Sequence, residues 1–150
     1  MWRRLHSDQR WERPLLLEGV AGLATPVGFA GVMVESSTPF FAASAGTGLG
    51  FTGIQLAAQA RLRLPLGGVA PYAGLGFSVG PFARLRPFSC CSGDPTLFMW
   101  LNTELGVEGR DKAGTNVRVF VGLGQSVDPV VLPYVGVAVG HAFSFEPKSS

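Results

Sequence analysis

Residues 54–64 read Ile54-Gln55-Leu56-Ala57-Ala58-Gln59-Ala60-Arg61-Leu62-Arg63-Leu64. Every even position is apolar, and the odd positions carry Gln, Ala, Gln, Arg and Arg. Side chains of a β-strand point alternately to opposite faces, so this run predicts an extended strand with one greasy face and one polar face. A helix over the same residues would scatter both classes around its circumference. The question the pattern poses is which face meets solvent.

Composition bears on that question. The chain is 47% hydrophobic and only 15% charged, against roughly 25% charged residues in an ordinary soluble domain. Its 150 residues fit one domain, and no compositional break divides them. Glycine (21 residues) and phenylalanine (11) are abundant. A net charge of +2 gives no electrostatic basis for binding nucleic acid. Low charge, abundant glycine and alternating strands together describe a membrane β-protein, with hydrocarbon outside and charge inside. Membrane helices fit less well. The best segment, Gly19 to Val34, is shorter than the ~20 apolar residues a span requires and contains Pro26.

Turn residues cut the chain into eight strand-like segments. They are Leu15–Leu23, Val27–Glu35, Phe40–Leu49, Ile54–Leu64, Val69–Gly80, Leu97–Arg110, a seventh centred on Val117–Gly124, and Leu132–Phe143. Segments near ten residues match the ~9–11 needed to cross a bilayer at a tilt. Lipid cannot satisfy an open sheet edge, so the strands must close into a barrel. The expected fold is therefore all-β, an eight-stranded antiparallel up-and-down transmembrane β-barrel. An even strand number puts both termini on one side. The longest irregular segment, Pro81 to Pro95, then falls on the opposite side, and the turns at Ser36, Pro65 and Asp111 are short and on the termini side. The expected organisation is a polar, disordered lead over residues 1–14, the barrel over 15–145 and a tail over 146–150. The lead holds arginines without the apolar core of a secretory signal, so either the true start lies upstream, or the chain is a mature or fragmentary form, or the export reading is wrong.

With this pattern from Leu15 to Phe145, the chain resembles the eight-stranded OmpA/OmpX-type outer-membrane β-barrels of Gram-negative bacteria. Its closing Gly140-His141-Ala142-Phe143-Ser144-Phe145 is similar to the terminal assembly signal of that family, a glycine followed by two spaced aromatics. Ala138 stands where that signal has a polar residue. The resemblance implies the bacterial outer membrane as location, with the lipid bilayer and the outer-membrane assembly machinery as partners. It also implies a monomer with a structural, anchoring or surface-interaction role.

Turning the apolar stripes to lipid sends Glu18, Arg61, Arg63, Glu104, Glu108, Arg110 and Arg118 inward, mostly in the termini-side half. The phase of the second strand leaves Glu35 unassigned. Acids and arginines are nearly balanced, as a buried ionic network requires. The other half is expected to hold small residues such as Gly46, Gly48, Gly122 and Gly136. Gln55, Trp100, Asn102 and Tyr134 are the candidates for a pocket at the loop end. Two readings stand open: a cup with an ionic floor, or glycines that make room for long side chains in a filled barrel.

Catalysis is not expected. The histidines are His6 in the lead and His141, whose parity places it outward near the rim. His141 and Ser144 lack an acidic third partner on the same face. Two histidines and two cysteines do not form a metal-ligand spacing, and no cofactor is expected. The adjacent Cys90 and Cys91 could pair as a disulfide or stay reduced. The rival architecture is a soluble, lipocalin-like barrel whose apolar stripes enclose a greasy ligand. A lipid-modifying membrane enzyme is the remaining alternative.

Overall fold

The computed structural model describes residues 10–50, 53–82, 96–126 and 130–144, the side chains of Phe82 and Thr96 excepted. The strands are β1 (Leu15–Thr25), β2 (Gly28–Ser37), β3 (Phe41–Gly50), β4 (Gly53–Arg63), β5 (Val69–Phe82), β6 (Thr96–Arg110), β7 (Thr115–Ser126) and β8 (Val131–Phe143). Each pairs with the next, and β8 returns to β1 to close the barrel. All neighbouring pairs are antiparallel. The closing seam runs from Leu15 opposite Phe143 to Leu23 opposite Val135. Closure leaves no unpaired strand edge.

The faces are inverted relative to a soluble barrel. Leu62 is 67% exposed, whereas its neighbours Arg61 and Arg63 are 1% and 5% exposed. The same holds around the wall: Leu23, Val32, Leu56, Leu75, Leu105, Val121 and Val137 face out. A lipocalin-like interior lined by these side chains is thereby excluded.

Two expectations about boundaries change. The first strand runs on to Thr25, and the second begins at Gly28 rather than Val27. The reason is a register break between Ala21 and Thr25, with Ala24 at φ 56° and Gly28 at φ 93°. Thr25 Oγ1 donates to the carbonyl of Gly28 at 2.5 Å. This tight turn folds Val27 into the barrel, where it is fully buried.

The second change concerns the lead. Residues 1–9 lie outside the described residues, but Arg10 to Pro14 pack against the barrel instead of forming a disordered tail. Trp11 is buried, and Arg13 donates to the carbonyls of Lys112, Ala113 and Ala142. An aromatic ring and a guanidinium have apolar area and donors to satisfy, and the open barrel end supplies both partners.

The interior has two tiers. Toward the termini lies a charged tier. Toward the loops lies an apolar cluster of Val20, Val27, Met33, Ala57, Phe120, Tyr134 and Ala138, into which Tyr72 also packs.

Candidate functional site

The sequence places charges on alternate residues of β1, β2, β4, β6 and β7, and closure brings them to one level. Glu18, Glu35, Glu104 and Glu108 meet Arg61, Arg63, Arg110 and Arg118, all buried. The four carboxylates and four guanidiniums balance, so the tier carries no net charge. All seven residues expected in the lumen are inside it.

Glu35 is the hub that sequence reasoning left unassigned. It pairs with Arg61, accepts from Arg63 Nη2 at 2.7 Å and lies 3.7 Å from Arg110 Nη2. Arg63 Nη1 also donates to Glu108 Oε1 at 3.1 Å, and Arg110 Nη2 donates to the same oxygen at 2.9 Å. Arg61 meets Glu18 at 3.7 Å, which joins this group to a second one. There Arg118 donates to Glu18 Oε2 at 3.0 Å and to Glu104 Oε1 at 2.7 Å. Glu35 and Arg63 link Arg61 to Glu108.

Neutral groups complete the tier. Tyr72 donates its hydroxyl to Glu104 at 2.5 Å and accepts from Arg118 at 3.1 Å. Asn116 donates to Glu18 Oε1 at 2.8 Å and accepts from Arg110 Nε at 3.2 Å. Guanidinium faces stack on rings, with Arg118 4.7 Å from Phe120 and Arg61 5.4 Å from Tyr72. Such charge-assisted bonds and cation–π contacts are what a desolvated ion needs to remain charged. Tyr72 and Asn116 share the parity of the charged residues, and that parity was the available signal for them.

The expected loop-end residues Gln55, Trp100, Asn102 and Tyr134 lie on β4, β6, β6 and β8. Tyr134 donates to the carbonyl of Thr103 at 3.0 Å and approaches Glu104 at 3.5 Å, which ties it to the charged tier. Asn102 Nδ2 donates to Ser78 Oγ at 3.0 Å and lies 3.5 Å from the Trp100 carbonyl. Gln55 lies over Gly80, where an added Cβ would sit 2.6 Å from its Cγ. Gly136 makes room for Phe120 in the same manner, and Gly122 for Tyr134. These glycines accommodate large neighbours rather than lining an open cup.

The outer wall carries a shallow concavity among the described residues. A groove of about 770 Å³ is lined by Leu23, Leu105, Val121, Leu123, Pro133 and Val135. His141 is exposed on the outer wall, its ring 5.0 Å from that of Phe143. Among the described residues no cluster of His, Cys, Asp and Glu is placed to hold a metal ion. Cys90 and Cys91 lie outside the described residues.

A closed eight-stranded antiparallel barrel with an aliphatic outer wall and an ionic interior has the fold of the OmpA-type outer-membrane β-barrels. In particular, the chain is similar to the crystal structure of the N-terminal β-barrel domain of Pseudomonas aeruginosa OprF. The TM-score is 0.67 at 14% identity, covering 88% of this chain and 98% of that one. At this identity the likeness concerns the fold. No family model and no curated protein matches the sequence.

Proposed function

We propose that the chain is a small outer-membrane β-barrel whose role is structural: anchoring in the membrane and presenting its loop end for surface interaction. The carrying observation is the inversion of faces, with Leu62 67% exposed beside Arg61 at 1%. An aliphatic wall on that scale is costly in water and favourable in hydrocarbon. Acyl chains are its expected surroundings, and the strand ending at Phe143 is the expected handle for the outer-membrane assembly machinery. Self-closure without a free edge favours a monomer. The interior supports a scaffold rather than a transporter, because a neutral ionic tier beneath an apolar cluster leaves little continuous aqueous path.

The test is fractionation of expressing bacteria, followed by gel migration of unheated and heated samples. The reading expects the chain in the outer-membrane fraction, extracted by detergent, with a migration shift on heating. Recovery in buffer as a stable soluble monomer would overturn it.

A further inference from the structure

At the termini-side mouth, inward residues of the last ring should be wet, because nothing in an open cylinder lies beyond them. Here Leu16, Ala42, Ala70, Asn116 and Ala142 are all 0% exposed. The segment Arg10 to Pro14 lies over this end of the barrel. Trp11 is 1% exposed, its ring 4.9 Å from the Arg110 guanidinium and 5.4 Å from that of Arg63. Its indole N–H donates to the Gly67 carbonyl at 2.8 Å, in the turn between β4 and β5.

Arg13 clasps the β6–β7 turn and the end of β8. Ser37 at the end of β2 donates to the carbonyls of Pro14 and Arg13 at 2.9 and 3.3 Å. Arg110 Nη1 reaches the Arg10 carbonyl at 3.4 Å. The segment therefore lies across the mouth, held mainly through side chains rather than by a strand ladder. Attachments of that kind open locally without unzipping the barrel.

We propose that residues 10–14 are a displaceable lid over the ionic tier, and that the place of Trp11 is an aromatic seat. The small side chains Ala42, Ala70 and Ala142 at the mouth give a large ring room. Arg63 and Arg110 supply two cationic faces for it, and the Gly67 carbonyl selects a ring with an N–H donor at its edge. A phenyl ring satisfies the faces but not the carbonyl, so the chemistry specifies an indole. With the lid shut, water from the termini side is kept from Arg63, Glu108 and Arg110. With it open, the seat is free for an indole supplied by another molecule.

The experiment uses the full chain in detergent micelles with Cys90→Ser, Cys91→Ser and Ala70→Cys, and measures labelling by a charged maleimide. Labelling is expected to be slow with Trp11 in place and about tenfold faster in Trp11→Ala, as loss of the ring contacts opens the mouth. Trp11→Phe is expected to fall between the two. Millimolar free indole added to Trp11→Ala is expected to slow labelling again. Unheated gel migration establishes that each variant is folded, and Trp11→Phe carries the test if Trp11→Ala does not fold. Equal rates with and without the tryptophan in folded protein would overturn the lid. Failure of indole to slow the alanine variant would overturn the seat.

Discussion

Arg118 Nη2 donates to Glu18 Oε2 at 3.0 Å, joining residues 100 positions apart by reaching over β8. The crossing is possible because β8 presents Ala138 and Gly140 at that level, opposite Arg118 and Glu18 respectively. Arg118→Met leaves the carboxylates of Glu18 and Glu104 buried without their strongest partner. Breaking a buried pair from one side costs about 3–5 kcal/mol, and that loss is expected in equilibrium unfolding in micelles. Adding Glu18→Gln is expected to recover part of it, with a coupling of about 1–3 kcal/mol. Strictly additive losses would show that the two groups do not communicate.

The sequence was most legible where one strand face is uniformly apolar. In β4 the leucines fix the phase, and Arg61 and Arg63 follow inward without further information. β2 is different. Met33 faces in while Val32 and Val34 face out, so apolar residues occupy both faces and the period is blurred. Glu35 could be placed only by weighing Val32 and Val34 above Met33. The turn after the first strand, read at residues 24–26, falls at Pro26 and Val27 because a register shift resets parity within the strand. Trp11 was the hardest. Its burial depends on Arg63, Arg110 and Gly67, which are far away in the chain, and nothing periodic marks it. The glycines toward the loop end are hard to read for a related reason. A glycine reads as empty space in a sequence, whereas the space it leaves belongs to a neighbour such as Phe120 or Gln55.

That occupancy has a direct consequence at Gly136. A Cβ added there would lie 2.5 Å from Phe120 Cζ and 2.8 Å from Phe120 Cε2. Gly136→Ala is expected to destabilise the barrel by about 1–3 kcal/mol, the usual range for overpacking. Shortening the obstacle with Phe120→Leu is expected to make the alanine cheaper than it is in the parent. Residual cost is expected, because Thr25 Cγ2 also lies 2.9 Å from the added atom. A thermodynamic cycle over the four proteins measures the compensation. Equal cost in both backgrounds would mean that Phe120 is not what the glycine accommodates.

The turn between β6 and β7 gives a pH dependence of known sign. Asp111 Oδ1 accepts from the backbone N–H groups of Thr115 at 2.8 Å and Gly114 at 2.7 Å. The Thr115 bond, with Gly114 and Ala113 assisting, holds the carboxyl below the ordinary aspartate range against the opposing effect of desolvation. A folded-state pKa below the unfolded one stabilises the fold above the unfolded value, and the gain is lost as pH falls through the folded value. The stability difference between the parent and Asp111→Asn is therefore expected to be constant above about pH 5 and to shrink below about pH 4. Parallel unfolding curves across that acid range check it. A difference that grows on acidification would reverse the sign of the argument.

The orientation of the wall can be measured as energy along a single strand. Val137 is in the middle of β8 and is 47% exposed, whereas Val131 opens the same strand at 53%. Both point outward, so in water an arginine at either site would be solvated and nearly neutral in effect. In a bilayer the two positions differ in depth. An arginine near the midplane of a barrel wall costs about 2–4 kcal/mol, and one near the interface about 0–1 kcal/mol. Val137→Arg is therefore expected to destabilise the barrel in lipid vesicles by several times as much as Val131→Arg. Unfolding by denaturant in vesicles of matched thickness gives both values. The gradient discriminates better than either value alone, because lost valine packing would lower stability by similar amounts at the two equally exposed sites. A flat profile would mean that hydrocarbon does not surround Val137.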